Sequence, residues 1–398
     1  MLDDRSVFGL NGTLACSHAR KIMIRNGKEE MLVESVTLPV VQPPIFGYQF
    51  FAFPLCIVLQ DKRSLPWLYS NFIQVCFDKR PDPPVPFTFY IHDYTLNPWL
   101  HVEHLQRGTM NIVQRNIVEF VRDCLLDGYY VYLNVDEYYI PERAVYQKSH
   151  LSHDVLVHGV DLQNETFQLL GFTDKQMLAT TSASFQAFAQ AYDSIARIDH
   201  QAICNRIYLY KIKETGAYAF DLALVQETLE EYLTSGNTSS RFRMVANPWD
   251  HCAYGLDTYR CLQDYYERLL AGKAGFDVRH VHSLWEHKSL MVARIKYMQE
   301  HTDYLDSPDR LHAAYSEIER KARNARNLTL KFYMQQEEAT LHNIMRYLEG
   351  GRDSVRAGTT FGLWRKAKIA CWSTCSCQKP TGMILPGTTF IRPCSTQG

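Results

Sequence analysis

The stretch KSHLSHDVLVHGVD, Lys148 to Asp161, decides how this chain is read, and its flanks give it meaning. Before it, GYYVYLNVDEYYIP (Gly128 to Pro141) is rich in aromatic and β-branched residues and ends in a proline, as a buried strand would. After it, TFQLLGF (Thr166 to Phe172) is a second strand, reached through the polar stretch LQNE. His153 therefore opens one strand of a hairpin. If Leu162 to Glu165 form a four-residue loop, Asp161 pairs with Thr166 and His153 comes opposite Asp174. A loop one residue shorter, Leu162 to Asn164, brings Thr173 there instead. Directly opposed side chains have Cβ atoms roughly 4.5–5.5 Å apart, close enough for a carboxylate to orient an imidazole. A histidine so backed supplies two members of a nucleophile–base–orienter triad.

The chain holds 15 histidines, so a structural or exposed role is the ordinary expectation for any one of them. The register is what sets His153 apart. Strand alternation puts His158 on the opposite face, at the surface or an interface, and His150 is expected to shape the turn.

A length of 398 residues suits two domains or one elaborated domain. Hydrophobic residues make up 46% and aromatics 13%, enough for a real core. The formal net charge is −1, which leaves no electrostatic footprint for nucleic acid or a membrane surface. The N-terminal sequence has no secretory pattern, and no apolar run reaches the roughly 18 residues a membrane span needs. Eleven cysteines at irregular spacing suit reduced thiols in a cytoplasmic protein better than a disulfide framework.

Residues 1–36 are expected to be a poorly committed leader. Phe50 to Leu59 is a buried helix or strand, because periodicity cannot decide over so short a run. Leu65 to Asp78 is predicted helical, with Trp67, Phe72 and Val75 on one face. A further amphipathic helix runs from Arg115 to Asp127 and stops at Gly128. Ser182 to Ala196 is predicted helical and Cys204 to Lys213 a strand. From Asp221 onward apolar residues recur at three- and four-residue spacing, so a boundary is expected between Gly216 and Asp221. That divides the chain into an α+β domain (37–216), a helical domain (217–350) and a tail (351–398) expected to be disordered. Cys371, Cys375, Cys377 and Cys394 lie in that tail at a spacing unsuited to tetrahedral zinc, so no metal is expected. His282, Glu286 and His287 form an H-x3-E-H run, expected to be a polar cluster between helices or in solvent rather than a metal site.

YVYLNVDEYYIP followed by KSHLSHDVLVHGVD resembles the N-terminal domain of the butirosin-biosynthesis protein H family, over roughly Thr37 to Lys213. WEHKSLMVARIKY and ARNLTLKFY resemble the downstream part of larger members found beside nonribosomal peptide and polyketide assembly lines. The resemblance implies a papain-like cysteine-peptidase-type fold with an antiparallel sheet. It implies acyl transfer from a carrier-protein thioester to a small-molecule amine through an acyl-cysteine, in antibiotic or other secondary-metabolite biosynthesis, with no cofactor. On that resemblance His153 falls on the family's base and Asp174 near its acid. The family's nucleophile lies in a histidine- and glycine-containing line at a helix start. The matching stretch here, FGYQFFAFPLCIVL, has no histidine, and its one thiol, Cys56, sits inside the apolar run. A reactive thiolate wants a helix N-terminus or a cationic neighbour and must be reachable, whereas Cys56 between Leu55 and Ile57 reads as a small core residue. Cys76 and Cys124 on helical faces, and Cys16 with His18 nearby, are weaker candidates. Three readings stand: a cysteine-dependent acyltransferase using His153, Asp174 and Cys56; a catalytically silent module that binds a carrier protein or peptidyl intermediate; and a cysteine peptidase.

Overall fold

The computed structural model describes residues 19–356, apart from 26–27, 82, 94, 114–115, 199–204, 244–248, 306 and 336. Cys16, Cys204, the four tail cysteines and the tail from residue 357 onward lie outside the described residues, whereas over 351–356 the expected disorder is corrected, because the last helix continues to Arg356 and buries Val355 in the core.

The chain opens with strands β1 (Ala19–Arg25) and β2 (Lys28–Thr37), then helices α1 (Gln49–Val58) and α2 (Leu65–Ser70). Strands β3 (Val75–Asp78), β4 (Phe87–Phe89) and β5 (Leu100–Gln106) follow, then α3 (Arg107–Val113) and α4 (Ile117–Leu126). The central run is β6 (Tyr130–Asp136), β7 (Ser152–Asp161), β8 (Thr166–Phe172) and β9 (Leu178–Ser184), closed by α5 (Phe185–Ile198) and β10 (Arg206–Ile212). The remainder is α6 (Leu222–Thr234), the short β11 (Cys252–Tyr254), α7 (Thr258–Leu270), α8 (Arg279–His301), α9 (Pro308–Gln335) and α10 (Glu338–Arg356). The α+β class is as expected, with antiparallel pairing throughout the sheets.

The main sheet runs β1-β2-β7-β6-β10-β5, with β8 on the other edge of β7 and β9 beyond it. Its two faces are both covered. Val131, Leu133, Val135, Val155 and Val157 meet α4 and α5, where Val121, Leu125, Phe188 and Ile195 are fully buried. Tyr130, Tyr132, Leu156 and Tyr210 point the other way, into a larger core that begins with α1. Local chemistry sets the ends of α4: Asn116 accepts from the N–H groups of Val118 and Glu119, and Gly128 at φ +83° takes the chain out of the helix.

Several sequence expectations are corrected. The leader is not uncommitted over its last part, since Ser35–Thr37 of β2 pair with Asp161–Gly159 of β7. Leu65 to Asp78 is not one helix. Asn71 leaves the helix and Phe72 adopts a left-handed φ of 52°, after which β3 begins. Ser182 to Ser184 belong to β9, and the helix begins only at Phe185. The helical remainder is as read, with one short strand, β11, which pairs with β3 in a separate sheet ordered β11-β3-β4.

The boundary near Gly216 is a change of secondary structure and not of core. Phe51, Trp67, Phe72 and Phe89 share one hydrophobic cluster with Leu284, Met291, Ile318 and Leu341 of the helical half. α8 is the element that binds the halves. Arg294 donates from Nε to Tyr69 O (2.7 Å) and from Nη2 to Asn71 O (2.6 Å), supplying carbonyls at the end of α2. His287 Nε2 reaches Ile73 O at 2.8 Å, and Glu286 Oε1 accepts from Phe46 N (2.6 Å) and Gly47 N (2.8 Å). The H-x3-E-H run is thus a clamp between elements. His282 Nε2 lies 3.2 Å from Glu286 Oε1, and a side chain on Gly47 would meet His282 Cδ2 at 2.7 Å.

Candidate functional site around His153

His153 is the second residue of β7 and pairs with Val135 of β6. Its β-carbon therefore shares the face of Val135, Val155 and Val157, the face covered by α4 and α5. The next residue, Asp154, shares the other face with Tyr132 and Leu156, and that is where α1 lies. Phe53 of α1 packs edge-on against Tyr132 at 5.2 Å, and Gln49 Nε2 donates to Asp154 O at 2.6 Å. The first turn of α1 thus meets the backbone beside His153, with Gln49 at the contact.

The carboxylate next to the imidazole is Glu137, in the short 3-10 turn that follows β6. Glu137 Oε1 lies 3.3 Å from His153 Nδ1, off the line of a well-made hydrogen bond, and Asp154 Oδ1 lies 3.7 Å from Nε2. Burial works against the charged ring. The pull of Glu137 and Asp154 outweighs it, and the His153 pKa is raised above its ordinary value. The side chain remains 38% exposed. Beneath it, Arg143 runs buried between Glu137 (Nε to Oε1, 3.8 Å) and Phe172 O (Nη1, 2.7 Å). Burial lowers the Arg143 pKa. Gly171 leaves the room for this, because a β-carbon there would come within 2.8 Å of Arg143 Nη2.

Asp174 is not opposite His153. The Leu162–Glu165 loop and the Asp161–Thr166 pair form as expected, but a bulge between Val157 and Gly159 shifts the register. The ladder then ends at Leu156 and Leu170, and Asp174 sits exposed in the turn between β8 and β9, donating its N–H to Glu142 O at 2.9 Å. Only an unbroken ladder from the Asp161–Thr166 pair would bring Asp174 opposite His153. The bulge residue is His158, and it is buried rather than at the surface. Its Nδ1 lies 3.0 Å from Leu38 O and its Nε2 3.0 Å from Thr180 Oγ1, contacts that suit the neutral ring with the proton on Nδ1. Burial lowers its pKa, partly offset by the Leu38 carbonyl.

Cys56 lies seven residues into α1, about 10 Å along the axis from Gln49 at the usual helical rise. It is fully buried, and its Sγ donates to Phe53 O at 3.0 Å. Burial pushes the thiol far above its ordinary pKa. Tyr48, at the helix N-cap, has its pKa raised by burial as well. Neither Tyr48 nor Gln49 is a thiol.

His150 does shape the turn, through a carboxylate the sequence reading missed. Asp136 is fully buried and its Oδ2 receives His150 Nδ1 at 2.6 Å and Ser194 Oγ at 2.5 Å. Its Oδ1 accepts from Tyr138 N and Leu151 N, both at 3.1 Å. Burial alone would raise its pKa, but these bonds hold it below the usual carboxylate value. Asp136 and Glu137 are therefore consecutive carboxylates, each serving one histidine of the next strand's entry. The adjacent D-E at the end of a strand, followed by two histidines three apart, was the available signal. Among the described residues no group of histidine, cysteine, aspartate and glutamate could hold a metal ion, and no helix is long and apolar enough to cross a membrane. No family model and no curated protein matches this chain.

Proposed function

We propose that this chain is a catalytically silent, papain-like module of nonribosomal peptide or polyketide biosynthesis, which binds a carrier protein or the peptidyl group it carries. The observation that supports silence is the occupant of the α1 entrance. Gln49 holds the backbone beside His153, while the only thiol of that helix is sealed in the core and held protonated. Covalent acyl transfer needs a thiolate within reach of a base, and Cys56 offers neither reach nor ionisation. The partner class rests on the resemblance of Tyr130–Asp161 and of the α8–α9 sequence to the butirosin-H family. His153 with Glu137 favours a second reading, the acyltransferase, because a carboxylate-backed imidazole with an exposed edge is what a general base requires.

Two measurements separate the readings. The chain is incubated with an acyl N-acetylcysteamine thioester and its intact mass is read. The binding reading expects no adduct, and retained binding of a holo-carrier protein by Cys56→Ala. An acyl adduct lost in Cys56→Ala would restore the enzyme.

A further inference from the structure

Two cysteines from distant parts of the chain meet outside the site described above. Cys76 lies in β3 and Cys252 in β11, strands that join the two halves in the small sheet. In the register, Cys76 stands opposite Tyr254 and Cys252 opposite Asp78, so the cysteines are diagonal neighbours on one face. Their side chains pack together in a cluster with Tyr90 and Tyr254. Both are free thiols. Cys76 is 3% exposed and Cys252 8%.

The two are not equivalent. The neighbouring Cys252 sulfur and burial hold the Cys76 thiol protonated, well above its ordinary pKa. Cys252 is the more exposed of the two, and the Cys76 thiol beside it lowers its pKa against burial, with Arg80 and Lys79 adding to the effect. That division is the one a dithiol needs, with one sulfur to attack and one to resolve. Diagonal neighbours stand roughly 7–8 Å apart, just beyond the ordinary Cα separation of a disulfide, so closing the bridge takes a backbone shift. β11 has three residues and is paired only with β3 among the described strands, so little stands against the small shift required.

We propose that Cys76 and Cys252 are a reversible dithiol–disulfide couple that locks β11 onto β3 when oxidised by a low-molecular-weight disulfide such as oxidised glutathione. The Cys252 thiolate attacks one sulfur of glutathione disulfide and expels one glutathione thiolate, giving a mixed disulfide. Cys76 then loses its proton to solvent and attacks the Cys252 sulfur, expelling the second glutathione. Two protein thiols are oxidised by two electrons, and one glutathione disulfide becomes two thiols.

The test uses the full chain equilibrated with oxidised and reduced glutathione, blocked with iodoacetamide and mapped by mass spectrometry without reduction. The expected product is a peptide pair joined through Cys76 and Cys252, two hydrogens lighter than the thiols and restored by dithiothreitol. Oxidation should raise the thermal midpoint of the wild type and leave that of Cys252→Ser unchanged. Cys76→Ser should instead carry glutathione on Cys252. Alkylation of both cysteines in the oxidised sample, or a dominant disulfide elsewhere such as among Cys371, Cys375, Cys377 and Cys394, overturns the proposal.

Discussion

At the scale of single residues, two titrating groups carry predictions. His153 has a raised pKa because Glu137 and Asp154 favour its cation. Its contribution to stability is therefore present below the ordinary histidine value and fades as pH rises through the folded one. Glu137→Gln should bring the His153 titration to lower pH in an NMR experiment on the imidazole protons, and an unmoved titration would remove Glu137 from its role. Lys288 presents the opposite sign. It is fully buried in α8, with one bond to Tyr232 Oη at 2.6 Å, and burial lowers its pKa to about 7 from 10.5. The unfolded chain holds a proton that the folded chain gives up, so stability should climb as pH rises from about 7 towards 10.5 and be lost as pH falls through that range. Lys288→Met should abolish that slope and raise stability at pH 7, measured by urea unfolding at pH 7 and 9. Neither group was legible as such. Lys288 sits in a run whose signal is helical periodicity alone, and nothing in WEHKSL says which polar residue will face the core once Tyr232 of α6 and Tyr259 of α7 pack against it. His153 was legible as a strand-start histidine, but its carboxylate partner was sought one strand too late.

At the scale of elements, the central strands and the helices of the second half were legible because their apolar periods run over several turns or pleats. Short elements were not. β3, β4 and β11 have three or four residues, too few to establish alternation, and α2 ends where Phe72 turns left-handed for a tertiary reason. That reason is Arg294, whose guanidinium takes the carbonyls of Tyr69, Asn71 and Phe72. Burial lowers its pKa to about 10 from 12.5, so it remains charged at neutral pH. Arg294→Leu would strand three carbonyls, one buried and two partly buried, and a charged donor to such an acceptor is worth more than a neutral one. The expected loss is about 3 kcal/mol in urea unfolding. A loss below about 1 kcal/mol would mean that α2 and β3 hold their turn without α8. The bulge at His158 taught the complementary lesson. A hairpin loop sets register only as far as the first irregularity, and the bulge residue His158 is held by a carbonyl 120 residues away, at Leu38.

At the scale of the whole molecule, the change of period near Gly216 suggested two domains, yet the core disregards it. Phe51, Trp67, Phe72 and Phe89 are buried in the same cluster as the apolar faces of α8, α9 and α10, and Phe89 lies 5.7 Å from the ring of His287. Uncovering four such side chains costs roughly 1.5–3 kcal/mol each, which together approaches the whole net stability of an ordinary domain. Sequence periodicity reports which face of an element is apolar and is silent on which partner covers it, so a boundary in period need not be a boundary in folding. The full chain is accordingly expected to unfold in one urea transition, with tryptophan fluorescence and far-UV circular dichroism coinciding. A fragment of residues 37–216 should lack a cooperative transition and give poorly dispersed amide resonances, since removing α8 takes away the caps of α2 and the lid over Phe72 and Phe89 together. A dispersed spectrum and a cooperative melt for that fragment would show that the first half folds alone. In that case the carbonyls bound by Arg294 would have to find other partners, and Arg294→Leu in the full chain would lose its expected cost as well.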